Sequence, residues 1–175
     1  KISQEDFALI TFHPETISTN LNFSFASQMR KALEQLTAKI QLVITMPNAD
    51  TMGSIYRIEI EKLKNEFPHQ VLCLENFGKE NYFTAMYYAR LLIGNTSSGI
   101  LEAASFGKYV VNVGDRQKGR LQSQNIYNAT FQCTSIIDAV NQVLCLDEFK
   151  GDNVYYQDSS AKNIINVLKT YYESI

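Results

Sequence analysis

The chain has 175 residues, of which 45% are hydrophobic, so it is long and apolar enough for one globular domain with a sizeable core. Its 16 Lys and Arg residues and 18 Asp and Glu residues give a formal net charge of −2, which argues against a nucleic-acid partner. No apolar run reaches the ~18 residues of a membrane span, and the polar opening from Lys1 to Asp6 lacks the apolar core of a signal peptide.

Short apolar runs rich in β-branched residues predict strands, and segments with apolar residues at helical spacing separate them. The predicted strands are Phe7–Phe12, Ile40–Met46, Gln70–Leu74, Leu91–Ile93, Tyr109–Val113 and Asn125–Thr130. The predicted helices are Asn22–Ala38, Ile55–Phe67, Asn81–Ala89, Ile100–Ala104, Ser135–Leu146 and Ser160–Tyr172. This alternation indicates an α/β fold: a parallel sheet of about six strands with helices on both faces. Without a repeat or a linker, we expect residues 1–175 to form a single Rossmann-like domain.

The cysteines argue against a disulfide framework and a zinc site. The chain has an odd number of cysteines, namely Cys73, Cys133 and Cys145, and none of them belongs to a Cys-x-x-Cys pair. Free thiols in apolar runs suggest a reducing compartment, so we expect a cytoplasmic protein. We expect neither a metal ion nor a cofactor.

Polar or loop residues follow five of the predicted strands. They are His13, Asn48, Phe77, the turn from Asn95 to Ser98, and Arg116. Because the carboxyl ends of parallel strands meet at one edge of a sheet, and ligands bind there, we expect these residues to converge on one site. The alternative is that the histidine only caps its turn and the Pro-Asn pair is an ordinary turn.

The turn from Gly94 to Gly99 reads Gly-Asn-Thr-Ser-Ser-Gly at the start of a predicted helix. The hydroxyls of Thr96, Ser97 and Ser98, together with the unpaired first N–H groups and the dipole of the helix, suit a phosphate. Glu102 lies about one turn further on, where it can accept a hydrogen bond from a hydroxyl beside that phosphate. The alternative is that one serine is only an N-cap and the glutamate only a solvated helix residue.

The loop from Gly114 to Arg120 reads Gly-Asp-Arg-Gln-Lys-Gly-Arg. A cationic loop opposite a hydroxyl-rich turn would complete a diphosphate site, with Arg116 making a bidentate contact. The sequence leaves open whether Lys118 and Arg120 are surface charges or residues of a cleft.

Together these motifs resemble the hydrolysing UDP-N-acetylglucosamine 2-epimerase family, where G-N-S-S-S-G-x-x-E precedes G-x-R-Q-x-G-R. The first motif matches Gly94–Glu102 and the second matches Gly114–Arg120, in the same order and at the same spacing. The departure is Thr96, where the family has Ser, and it preserves a hydroxyl. Thr11–Thr16 also matches the family's T-x-H-P-x-T, which contains an active-site histidine, here His13.

The resemblance implies roles for the remaining residues. Asn48 falls in a P-N-x-D stretch whose Asn lies beside the nucleotide, and the loop at Phe77 holds the uracil base largely through its backbone. Separately from the resemblance, we predict that Glu102 binds the ribose, because acidic residues hold ribose hydroxyls in dinucleotide-binding folds. The family's diphosphate-binding positions match Asn95, Thr96, Ser97, Ser98 and Arg116.

The resemblance covers nearly the whole chain but only the C-terminal half of the family's protein. Those enzymes have the GT-B fold, in which two Rossmann-like domains face each other across a cleft. We therefore expect an excised C-terminal domain whose partners are a UDP-sugar and the absent N-terminal domain. The absent half carries the family's catalytic carboxylates, so the isolated domain should be inactive. The full-length protein should form a homo-oligomer.

The implied activity is cleavage of UDP-N-acetylglucosamine to N-acetylmannosamine and UDP, for sialic-acid or related surface polysaccharides. Three alternatives stay open. The chain could be the UDP-sugar domain of a GT-B glycosyltransferase, or a non-catalytic nucleotide-binding module. Related family members also act on UDP-linked diacetamido sugars.

Overall fold

The computed structural model describes residues 6–47 and 52–173. Within these residues, six parallel strands form a sheet in the order β3-β2-β1-β4-β5-β6, which confirms the predicted α/β fold. The strands are β1 (Phe7–Thr11), β2 (Gln41–Thr45), β3 (Val71–Leu74), β4 (Leu91–Gly94), β5 (Val110–Val113) and β6 (Ile126–Ala129).

Four of the described helices connect successive strands from β1 to β5, and two follow β6. They are α1 (Asn22–Leu36), α2 (Gly53–Glu66), α3 (Gly78–Tyr88), α4 (Ser97–Leu101), α5 (Cys133–Leu144) and α6 (Ser160–Glu173). The fourth helix begins earlier than the predicted Ile100, because Thr96 caps it, and it continues as a 3-10 turn over Ala103–Phe106. Gly107 ends that turn in the left-handed conformation, with φ of 68°, as its sequence position predicts.

The sheet is covered on both faces. Alternate residues of β1 point to opposite sides: Ala8 and Ile10 pack with α1, α2 and α5, whereas Phe7 and Leu9 pack with α3. Because both faces are buried, β1 and β4 at the centre of the sheet are almost entirely apolar rather than alternating in polarity, whereas the edge strand β6 exposes Asn128. The described residues therefore form the three layers that the sequence predicts.

The strand order reverses between β1 and β4. The chain builds β1, β2 and β3 in one direction, then crosses back to add β4 on the other side of β1. Thr11 at the end of β1 lies beside Gly94 at the end of β4, so the loops after these two strands diverge from a shared crevice. In open α/β sheets, such a reversal is where ligands bind.

The helix α6 differs from the others because the structure describes no buried residue in it. Its predicted apolar face is exposed at Ile164, Ile165, Val167, Leu168 and Tyr171. The helix itself is confirmed, and these five side chains of its apolar face are largely exposed in the described structure. Among the described helices, none has the length and hydropathy required to cross a membrane.

Candidate functional site

A cavity of about 260 Å³ lies at the crevice between β1 and β4. It is lined by His13, Thr16, Thr96, Ser97, Arg116, Gln117 and Arg120. Three loops that are far apart in sequence thus meet as predicted, and hydroxyls, an imidazole and two guanidinium groups surround one space. All of these groups can donate hydrogen bonds, and the two arginines add positive charge, so the cavity suits an anion.

Asn95 joins the first two loops. Its side chain is fully buried; Oδ1 accepts a hydrogen bond from the backbone N–H of His13 at 2.7 Å, and Nδ2 donates to the His13 carbonyl at 2.8 Å. The amide therefore holds the histidine loop in place. The direct binding role predicted for Asn95 stays a prediction, and the contacts assign this side chain to positioning.

The hydroxyl-rich turn places its side chains in different surroundings. Thr96 is the N-cap of α4, and its Oγ1 accepts a hydrogen bond from the backbone N–H of Ser98 at 3.3 Å. The Ser98 hydroxyl is 2.7 Å from the Tyr82 hydroxyl and 3.1 Å from Thr96 Oγ1. Ser97 is exposed and lines the cavity. Ser97 is thus the serine placed to contact a ligand, whereas the Ser98 hydroxyl is held by Tyr82.

The identity of the cap corrects one alternative from the sequence, since Thr96 rather than Ser97 or Ser98 closes the helix start. The dipole of α4 also contributes less to anion binding than the sequence predicted. The helix α4 has only five residues, so few peptide dipoles are aligned in it. Hydroxyls, backbone N–H groups and the arginines therefore provide most of the attraction for an anion.

The cationic loop is anchored through two buried side chains that sequence reasoning did not single out. Gln117 Nε2 donates to the Asn95 carbonyl at 2.8 Å. Glu15 Oε1 accepts hydrogen bonds from the backbone N–H groups of Asp115 and Arg116 at 3.0 and 3.1 Å. Their positions within the two motifs were the available sequence signal. Glu15 lies two residues after His13, and Gln117 lies one residue after Arg116.

The loop's cations, which the sequence left open, separate in the structure. Arg116 and Arg120 both line the cavity. Lys118 forms an ion pair with Asp115, at 3.6 Å between Nζ and Oδ2, and does not line this cavity. We therefore add Arg120 to the candidate site.

Glu102 lies at the end of α4, outside the residues that line the cavity. Its Oε2 is buried and has no hydrogen-bond partner among the described residues. Burial raises the pKa of this carboxyl above its ordinary value. A buried acceptor of this kind is destabilised until a donor reaches it.

Of the remaining predicted residues, Phe77 lies further along the same edge, after β3. Phe77 precedes α3, and its half-buried ring packs edge-on against Tyr82 at a centroid distance of 6.2 Å. The backbone contact predicted for Phe77 stays a prediction. Asn48 and the predicted cap Asp50 lie outside the described residues. In ranges 6–47 and 52–173, no cluster of three or more His, Cys, Asp or Glu side chains could hold a metal ion.

The sequence profile of the family described as UDP-N-acetylglucosamine 2-epimerase matches residues 1–169. The chain belongs to this family. The match includes each of the three loops around the cavity, so the cavity lies within the region that the family shares.

Relatives and solved structures agree with the family assignment. A Campylobacter jejuni protein named GDP/UDP-N,N'-diacetylbacillosamine 2-epimerase (hydrolyzing) is 34% identical over 125 residues, which are 71% of this chain and 32% of that protein. The Escherichia coli polysialic acid biosynthesis protein P7 is 25% identical over 174 residues, covering 96% of this chain and 44% of that one.

The fold is shared with solved structures at low sequence identity. The structure of S. aureus MnaA with UDP superposes with a TM-score of 0.74 at 15% identity, covering 98% of this chain and 46% of that one. The six-stranded domain therefore corresponds to about half of a GT-B-type epimerase. This chain spans less than half the length of each of these three proteins.

Proposed function

We propose that this chain is the UDP-binding part of a hydrolysing UDP-N-acetylglucosamine 2-epimerase. The cavity that joins Ser97 to Arg116 and Arg120 carries the proposal. A diphosphate needs several donors and positive charge at one place, and this cavity combines them at the reversal of strand order.

Four of the cavity side chains have a direct role in this proposal. The hydroxyl of Ser97 donates to a phosphate oxygen, and the guanidinium groups of Arg116 and Arg120 neutralise the diphosphate. His13 faces the same space from the first loop. In a reaction that expels UDP, negative charge grows on the leaving diphosphate, so donors already in place lower the barrier.

Glu102 is the proposed ribose contact. Its Oε2 has no partner among the described residues, and a ribose hydroxyl would supply the missing donor. The proposed order along the site is then the diphosphate at the Ser97 turn, the ribose at Glu102, and the base near Phe77. The nucleotide contact of Asn48 is part of the same proposal.

The proposed reaction has two steps. A base removes the proton from the second sugar carbon while the bond from the first carbon to the UDP oxygen breaks, which leaves a glycal-like intermediate and UDP. Water then adds across the double bond with inversion at the second carbon, giving N-acetylmannosamine. We assign the proton-transferring carboxylates to the part of the protein beyond this chain. In this proposal the present chain stabilises the leaving diphosphate, and His13 supports the reaction at the cleft.

A second substrate is favoured by one observation. The C. jejuni relative, 34% identical, is named for a nucleotide-linked diacetamido sugar, whereas the E. coli relative is named for polysialic acid biosynthesis. Both names fit the same UDP site with different sugars. Incubating the full-length protein with each UDP-sugar and identifying the released sugar by NMR separates the two candidates.

The division of labour is tested with the isolated chain. We expect it to bind UDP weakly, because one wall of the cleft is absent and the diphosphate stays exposed to water. We expect no release of UDP from UDP-N-acetylglucosamine. Release above the uncatalysed background would place the chemistry within this chain and contradict the proposal.

The same assays address the rival functions. A glycosyltransferase would release UDP only when an acceptor is added to the full-length protein. A non-catalytic module would bind UDP without turnover even at full length. Either result, if UDP binding is intact, would support the UDP-binding site and contradict the epimerase assignment.

A further inference from the structure

Glu15 is a buried carboxylate at the edge of the proposed anion site. Its residue is only 5% exposed, and its Oε1 accepts two backbone N–H groups, those of Asp115 at 3.0 Å and Arg116 at 3.1 Å. The carboxylate thus occupies a concave arrangement of N–H groups, the kind of backbone nest that binds anions. It joins the histidine loop to the cationic loop.

The charge of Glu15 opposes the function of the cavity. A carboxylate close to a diphosphate repels it, and partial burial strengthens that repulsion because the local dielectric is lower than that of water. If charge were its only effect, removal of the carboxylate would improve anion binding. The hydrogen bonds that it accepts must therefore account for any benefit to binding.

Glu15 is itself held rigidly. Its backbone N–H donates to Asn22 Oδ1 at 2.9 Å, and Asn22 Nδ2 donates back to the Glu15 carbonyl at 3.0 Å. The Tyr56 hydroxyl donates to the same Asn22 oxygen at 3.1 Å. The pKa of Tyr56 is raised, mainly by burial and secondly by the negative charge of Glu15. The hydroxyl therefore stays protonated and remains a donor at neutral pH. The backbone of Glu15 is therefore held in place independently of any ligand.

The cationic loop is shaped to meet this carboxylate. Gly114 has φ of 80°, and a Cβ at this position would overlap both the Glu15 carboxylate and the Phe131 ring. Glycine thus allows the backbone to approach Glu15 closely enough for the two N–H contacts. Arg116 and Gln117, two and three residues further along the loop, line the cavity.

We propose that Glu15 is a positioning residue that holds the backbone of Arg116 so that its guanidinium meets the diphosphate. The inference rests on the proposed UDP site and adds to it a residue that acts through Arg116. The favourable geometry outweighs the repulsion between the carboxylate and the ligand.

The test compares Glu15→Ala with Glu15→Gln in the full-length protein by calorimetric titration of UDP. Alanine removes the acceptor, so UDP affinity should fall about tenfold, as it would without one charge-assisted hydrogen bond to the ligand. Glutamine keeps an acceptor for both N–H groups without the charge, so affinity should stay within about twofold of wild type or rise. Improved or unchanged affinity in the alanine variant would overturn the proposal, as would an equal reduction in both variants.

A double variant asks whether the effect passes through Arg116. In an Arg116→Ala background, Glu15→Ala should cause no further reduction of affinity, because the residue that it positions is absent. A persisting tenfold reduction would show a general structural role and overturn the proposal. Asn125→Ala is the matched control: this buried amide donates to the Lys108 carbonyl at the opposite edge of the sheet, and its removal should not change UDP affinity.

Hydrogen exchange separates failure of this inference from failure of the proposed function. Without ligand, the amides of Asp115 and Arg116 should be protected in wild type and Glu15→Gln and exchange faster in Glu15→Ala. Equal protection in all three would overturn the inference even if UDP binds. Absence of UDP binding to wild type would instead overturn the function. If the alanine variant does not fold by circular dichroism, Glu15→Asp, which is one methylene shorter, replaces it with the same expectations.

Discussion

The C-terminal ends of the strands and the loops that follow them form what we call the carboxyl edge of the sheet. Both this edge and the helix α6 depart from the usual distribution, in which apolar side chains are buried and polar side chains are exposed. At the edge, the polar side chains of Glu15, Asn95 and Gln117 are buried. In α6, apolar side chains such as Val167 and Leu168 are exposed. The buried polar groups are stabilised by hydrogen bonds between loops, whereas Val167 and Leu168 of α6 remain largely exposed in the described structure.

This contrast shows that burial follows the available partners rather than polarity alone. A buried amide or carboxylate is tolerated where a neighbouring loop offers it a hydrogen-bond donor or acceptor. An amphipathic helix contributes little when nothing covers its apolar face. Substitutions at the carboxyl edge should therefore change stability and binding together or binding alone, and substitutions in α6 should change neither.

The largest effect is expected for Asn95→Ala. The substitution leaves the backbone N–H and carbonyl of His13 without their partner, so the free energy of unfolding should fall by about 3 kcal/mol. UDP affinity should fall as well, because the histidine loop is released. Urea denaturation and calorimetric titration measure the two effects.

Asn95→Asp is the matched control. It keeps an acceptor for the His13 N–H but cannot donate to the His13 carbonyl while ionised, so its loss of stability should be intermediate. If the alanine and wild-type proteins were equally stable, the amide would not hold the two loops together.

Ser97→Ala and Arg116→Ala should each weaken UDP binding without a comparable loss of stability. Both side chains are exposed and line the cavity, so the folded protein does not depend on them. Removing one charge-assisted hydrogen bond should cost about 1.5–3 kcal/mol of binding free energy. Unchanged affinity in both variants, with folding verified by circular dichroism, would remove the diphosphate from this cavity.

Glu102→Gln should have a smaller and more selective effect. Wild type should bind UDP more tightly than 2′-deoxy-UDP, and the substitution should narrow that preference by about 1 kcal/mol because an amide oxygen accepts more weakly than a carboxylate. Competition titration with both nucleotides measures the difference. If wild type bound the two nucleotides equally well, Glu102 would not contact the ribose 2′-hydroxyl.

The smallest effect is expected in α6, and a pair of identical substitutions sharpens the comparison. Val143 of α5 is fully buried, whereas Val167 of α6 is 69% exposed. Val143→Ala should cost about 2 kcal/mol of stability in the isolated chain. Val167→Ala should change stability by less than about 0.5 kcal/mol, since Ala is also the better helix former. A loss as large as that of Val143→Ala would mean that α6 packs against the rest of this chain.

Local pattern was sufficient to predict most of the fold. The apolar runs predicted all of the described strands within a few residues, because strands buried on both faces are short and mostly apolar. The start of α4 was misplaced, because its cap is a threonine inside a run of hydroxyl residues. Single-sequence patterns locate the centre of an element better than its ends.

The sequence by itself determined the parallel sheet, the edge at which the loops converge and the motifs that indicate the family, since each depends on residues close together in the chain. The tertiary structure decided which side chains face the cavity. It turned Ser98 toward Tyr82, placed Arg120 in the site and buried Glu15 against the cationic loop. These assignments depend on contacts between residues up to about a hundred positions apart, which the motifs do not encode.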